Sequence, residues 1–163
     1  MVRLAGGKPV FLNSSAEDGF KINIQELKSK ISSKTKFIII NSPNNPTGRV
    51  MPKEELLQIA EVVRGNKNIN ILSDEIYELI LKKEFKHLSL ASLAPDLLER
   101  IFIINGFAKG WAMTGWRVGY LIGQKDVIRA SSALQSQSTS NVCSFVQRGA
   151  LEALKINLSL IHI

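Results

Sequence analysis

Residues 105–120 read NGFAKGWAMTGWRVGY, with Lys109 set among small and aromatic residues and Arg117 eight positions further on. A lysine that loses solvation in an apolar setting is pushed toward its neutral amine, a nucleophile for carbonyl carbon. An arginine offers a fork that matches the oxygens of a phosphate. Two upstream stretches add polar groups: Asn41-Ser42-Pro43-Asn44-Asn45-Pro46-Thr47-Gly48 and Asp74-Glu75-Ile76-Tyr77. A buried carboxylate at Asp74 must find a cation or a donor. A ligand with an aldehyde, a protonatable ring nitrogen and a phosphate would engage Lys109, Asp74 and Arg117 together, and pyridoxal phosphate (PLP) is such a ligand.

Taken singly, each residue has a plainer reading. Lys109 reads as a surface loop lysine, Asp74 as a helix N-cap with Glu75 in its first turn, and Tyr77 as a core aromatic. Asn45 before Pro46 reads as a turn residue, and Arg117 as a surface ion-pair partner. The combination carries the argument, provided the fold brings the members together.

The elements that must do so are legible as patterns. Pro9-Val10-Phe11-Leu12 reads as a short strand. Asn23-Ile24-Gln25-Glu26 has the form of a capping box and predicts a helix to about Ile31. Lys36 to Asn41 is a β-branched apolar run without alternation, the pattern of a strand buried on both faces in a helix-covered parallel sheet. Pro52 suits the first turn of a helix that Gly65-Asn66 stops. Strands are expected at Ile69–Ser73, Ile101–Ile104 and Val118–Ile122, and helices at Asp126–Leu134 and Asn141–Lys155. This order predicts an α/β fold, a mostly parallel sheet with helices on both faces. Asn45, Asp74 and Lys109 then each follow a strand, and parallel sheets bind ligands beyond the carboxyl ends of their strands.

Composition excludes several alternatives. Of the 163 residues, 21 are basic and 14 acidic, giving +7. The basic residues are scattered, with no run of five and no interleaved aromatics, so solvated faces account for them better than a nucleic-acid surface. The single cysteine, Cys143, permits no intrachain disulfide. It fits a cytoplasmic protein and reads as a small packed residue. His87 and His162 lack metal-ligand spacing, so no metal site is expected. The Phe37–Ile40 run is too short to span a membrane.

Gly106-Phe107-Ala108-Lys109, followed by Ala112-Met113-Thr114-Gly115-Trp116-Arg117-Val118-Gly119-Tyr120, resembles the lysine motif of class I aminotransferases, PLP enzymes of fold type I. The segments 41–48 and 74–77 resemble the same family in the same order, from the first residues to about Lys155, most closely bacterial aspartate aminotransferases. The resemblance implies that Lys109 carries PLP as an internal aldimine and shuttles a proton between the substrate α-carbon and the cofactor C4′. It implies that Asp74 pairs with the pyridinium nitrogen, that Tyr77 and Asn45 hydrogen-bond the 3′-oxygen, and that Arg117 binds the phosphate. The reaction would move an amino group from an amino acid to a 2-oxo acid at a homodimer interface. Relatives with a similar lysine and aspartate include aromatic aminotransferases, C–S lyases and PLP-binding transcription regulators.

Three departures matter. Many relatives place a serine three residues before the lysine, where this chain has Gly106, and Ala108 also lacks a hydroxyl. The family's glycine-rich phosphate loop and ring-stacking aromatic are expected before residue 1, and its carboxylate-binding arginine after residue 163. Residues 1–157 are therefore expected to be a partial PLP-binding large domain. Residues 158–163 resemble translated sequencing adapter, so His162 is expected to carry no function. The 163-residue chain alone is expected to show little or no aspartate–2-oxoglutarate turnover.

Overall fold

The computed structural model describes residues 1–156, so the predicted non-native tail and His162 lie outside the described residues. The elements run α1 (Ile24–Lys30), β1 (Phe37–Asn41), α2 (Lys53–Arg64), β2 (Asn70–Asp74), α3 (Leu90–Leu93), β3 (Ile101–Gly106), β4 (Gly119–Ile122), α4 (Lys125–Ser138) and α5 (Ser144–Ala153). The strands form one sheet in the order β1-β2-β3-β4. The first two pairings are parallel and β3–β4 is antiparallel. A mostly parallel α/β sheet is thus what the chain builds.

One face of the sheet makes the main core. Ile38, Ile40 and Ile71 meet Leu56, Ile59 and Val63 of α2 and Leu90 of α3. These α2 positions follow the i, i+3, i+7 spacing that puts apolar side chains on one stripe. Glu55 lies in the same buried region (7% exposed). Its carboxylate is satisfied by the Ile22 backbone N–H at 2.6 Å and by the Arg49 guanidinium, as a buried charge requires.

Several local expectations need correction. Residues 9–12 form no strand. They have no neighbouring strand to pair with, and only Leu12 packs on the core while Val10 and Phe11 face outward. β1 is buried on one face only, since Phe37 and Ile39 are 48% and 50% exposed. An edge strand with one covered face reads the same in an apolar run as a central one. The capping box is half made. The Asn23 side chain accepts from the Gln25 and Glu26 N–H groups, but the Glu26 carboxylate turns to the Asn13 N–H and to Lys30. Cys143 is exposed, not packed; it stands just before the first residue of α5, and its side chain makes no capping hydrogen bond.

A second, smaller cluster joins Phe107 and Met113 to Ala150 and Ala153 of α5, with Trp111 and Val118 against it. The Trp111 indole N–H donates to the Ala153 carbonyl at 3.0 Å. This cluster fastens the segment between β3 and β4 to α5. None of the described helices is long and apolar enough to cross a membrane.

Candidate active site

The register of the three parallel strands sets the site. Asn41 of β1 pairs with Asp74 of β2, and Asp74 pairs with Ile104 of β3. β1 and β2 therefore finish level beside Ile104, β3 runs on to Gly106, and the loops that follow leave from one edge. The Asn41 amide ties two of these loops together. Its Nδ2 donates to the Asp74 carbonyl at 3.2 Å, while its Oδ1 accepts from the Asn44 side chain at 2.9 Å and the Asn45 N–H at 3.3 Å. Asn44 in turn receives the Thr47 N–H and hydroxyl. The Asn45 loop is thus braced by side chains where helix and sheet hydrogen bonds are unavailable.

Three of the five predicted residues meet directly. Asn45 Nδ2 donates to the Tyr77 hydroxyl at 3.0 Å. The Lys109 ammonium nitrogen lies 5.6 Å from the centre of the Tyr77 ring, within cation–π reach. Asn45 belongs to the loop after β1, Tyr77 to the turn after β2 and Lys109 to the turn after β3, so the contact exists only through the sheet. Asp74 stands at the end of β2, half-buried rather than buried. Its Oδ1 accepts the Ile76 N–H at 3.2 Å, an Asx turn that starts the segment carrying Tyr77.

Lys109 is half-buried in a rigid turn. Its carbonyl accepts the Ala112 N–H at 3.0 Å, and the Thr114 hydroxyl donates to the Ala108 carbonyl at 2.7 Å. Phe107 beside it is buried and lies 4.9 Å from the Trp111 ring. The apolar setting read from the sequence is present: Phe107 also meets Tyr120 of β4, with ring centres 6.0 Å apart. Arg117 is not drawn into the cluster. It is exposed, in a left-handed backbone conformation (φ 53°), and its Nη1 donates to the Thr114 carbonyl at 3.2 Å. Through Thr114 it is two hydrogen bonds from the Lys109 turn.

Gly106 explains itself sterically. A Cβ at 106 would lie 2.8 Å from the Gly119 Cα and 2.9 Å from the Val118 carbonyl oxygen, backbone atoms at the start of β4 and just before it. No hydroxyl side chain fits there without parting β3 from β4. Gly106→Ser in the full-length protein is expected to destabilise the fold by about 1–3 kcal/mol, the usual cost of overpacking; chemical denaturation measures it, and an unchanged midpoint would refute this packing argument.

The cluster is open to solvent: Asn45 is exposed, and Tyr77 and Lys109 are half-buried. Clefts of about 370 and 400 Å³ sit elsewhere, one lined by Lys28, Val62 and Asn66 and the other by Leu98, Ile122 and Lys125. Each holds one lysine and one glutamate, Lys28 with Glu61 and Lys125 with Glu99, but none of the five predicted residues. Sequence reasoning missed Asn41 as the cluster's brace and gave Glu75 only a helix-turn role; neither carries a spacing signal. The donor set fits PLP: a lysine amine, a phenol whose oxygen already accepts from Asn45 and whose proton is free to be donated, and a strand-end carboxylate with one oxygen to spare.

The α/β sheet thus places a lysine, a tyrosine, an asparagine and an aspartate at its carboxyl edge. The chain belongs to the class I and II aminotransferase family, whose model matches residues 1–159. It is 51% identical over 154 residues to the probable aspartate/prephenate aminotransferase of Rickettsia prowazekii, covering 94% of this chain and 39% of that protein. The aspartate aminotransferase structure from Rhizobium meliloti superposes with a TM-score of 0.94 at 33% identity, covering 99% of this chain and 40% of that one. The aromatic aminotransferase of Pyrococcus horikoshii OT3 gives a TM-score of 0.92 at 40% identity, with 99% and 43% covered. The chain thus spans about two-fifths of the length of the proteins it matches.

Proposed function

We propose that the full-length protein carrying this chain is a PLP-dependent aminotransferase that moves an amino group between an amino acid, aspartate first, and a 2-oxo acid. The observation that carries the reading is the Asn45–Tyr77–Lys109 contact at the carboxyl edge of three parallel strands, with Asp74 at the same edge. PLP bound there would supply an electron sink for charge developing at the substrate α-carbon. Lys109 would hold the cofactor through its amine and would carry the proton to and from the substrate α-carbon. Asp74 would pair with its ring nitrogen. Tyr77 and Asn45 would hydrogen-bond its ring hydroxyl oxygen, and Arg117 would bind its phosphate once the guanidinium leaves the Thr114 carbonyl.

Aspartate is favoured because the proteins most like this chain include aspartate and aspartate/prephenate aminotransferases. The aromatic aminotransferase likeness supports a second reading, aromatic substrates. A homodimer belongs to the same reading. We place no nucleic acid or membrane among the partners, and the lone cysteine suits the cytoplasm.

The test is turnover by the purified full-length protein, loaded with PLP, on aspartate, phenylalanine and cysteine with 2-oxoglutarate as acceptor. Glutamate formation from aspartate at the highest kcat/KM is expected. Glutamate formed faster from phenylalanine selects the aromatic reading, and sulfide release from cysteine without glutamate would overturn transamination.

A further inference from the structure

Glu75 has no part in the chemistry above, yet it is among the most buried charged groups described, 3% exposed. Its carboxylate is fully engaged. Oε1 accepts the Ser73 hydroxyl at 2.9 Å and the Ser89 hydroxyl at 3.0 Å, and Oε2 accepts from His87 Nε2 at 3.0 Å. Its own N–H donates to the Ile104 carbonyl of β3 at 2.9 Å. One side chain thus ties the end of β2 to the segment that leads into α3, while its backbone is held by the next strand.

Between Glu75 and His87 lies a loop whose two ends this carboxylate brings together. That loop carries Tyr77, bonded to Asn45 and facing Lys109. It also carries Leu79, packed so closely on Gly110 that a Cβ there would come within 2.6 Å of Leu79 Cδ1. Both loop contacts with the lysine turn therefore depend on how the loop leaves its base. A buried carboxylate with three donors is a rigid base, because freeing any partner would strand a polar group away from water.

We propose that Glu75 is a positioning residue for the site: its carboxylate closes the 76–86 loop at its base and thereby holds Tyr77 beside Asn45 and Leu79 against the Lys109 turn. A cation is the competing occupant, since Glu75, Glu78 and His87 place ligand atoms within 4.8 Å of one another. The clasp is favoured because both Glu75 oxygens already have donors in place, the Ser73 and Ser89 hydroxyls and His87 Nε2. The activity arm of the test rests on the proposed transaminase reading; the exchange arm does not.

The experiment is amide hydrogen exchange on the full-length protein without cofactor, followed by kcat and KM with PLP. Glu75→Ala is expected to speed exchange over residues 76–86 about tenfold while β1 and α2 stay protected, as local opening does. It should lower kcat about tenfold, with KM changed less than about twofold, since misplaced groups cost turnover. Glu75→Gln keeps two acceptor contacts and should restore most of both. Should Glu75→Ala not fold, Ser89→Ala carries the test, with an exchange rise of about threefold confined to the same loop. Exchange unchanged in 76–86, or raised equally throughout the chain, would overturn the clasp. So would wild-type exchange in that loop that quickens with EDTA and is restored by Zn²⁺. A wild type that folds but does not transaminate sinks the functional reading alone, and the exchange result still decides the role of Glu75.

Discussion

Replacing Lys109 by alanine in the full-length protein should abolish the visible absorbance band of lysine-linked PLP and lower turnover by about 10⁴-fold, the upper range for loss of a positioned proton-transfer group. The geometry gives the reason. Lys109 sits in a turn fixed by the Ala112 and Thr114 hydrogen bonds, with its amine 5.6 Å from the Tyr77 ring centre. Among the described residues, no other lysine lies over the Tyr77 ring. If Lys109 serves only to stack on Tyr77, the alanine variant would lose about 0.5–1 kcal/mol of cation–π stabilisation and keep both the band and the activity. The spectrum and kcat together separate the two cases, and a surviving band would overturn the central assignment.

At Asp74 the expected signature differs: the cofactor stays bound while turnover collapses. Asp74→Ala should retain the visible band but lose about 10²–10³ in kcat, the scale of removing one preorganised electrostatic contact. Alanine also removes the acceptor of the Ile76 N–H, so loosening of the Tyr77 turn would contribute. Asp74→Asn resolves this. Its amide oxygen can still accept from Ile76, which preserves the turn, yet it carries no charge for a protonated ring nitrogen. We expect Asp74→Asn to keep the wild-type melting temperature and to fall nearly as far in kcat as alanine. Wild-type turnover in Asp74→Asn would exclude the pyridinium role.

Both predictions concern residues that could be picked from the sequence, because rare residue types in unusual company are visible there. Lys109 among glycine and tryptophan, and an Asp-Glu pair after an apolar run, stand out without any coordinates. The strands β1, β2 and β3 were legible for the same reason, being β-branched runs bounded by breakers. What misled was any judgement that depends on a neighbour. Residues 9–12 have a strand's composition but no partner strand. The β1 run looks buried on both faces, yet Phe37 and Ile39 face outward. Glu26 fits a capping box but finds Lys30 and Asn13 better placed.

The sequence by itself determined the local chemistry: which side chains are amine, carboxylate and phenol, and that each lies at or just past the end of a strand. Only the tertiary structure decided that they meet. The parallel register aligns Asn41, Asp74 and Ile104, which sets the loops at one edge and lets Asn45 reach Tyr77 across 32 residues of chain. It also decided that Arg117 rests on Thr114 instead of joining the cluster, that Gly106 leaves no room for a side chain, and that Glu75 closes the loop beneath Tyr77. The physical reason is the same in each case. Propensity and spacing act along the chain over a few residues, whereas hydrogen-bond satisfaction and close packing are settled between segments that only the sheet brings together.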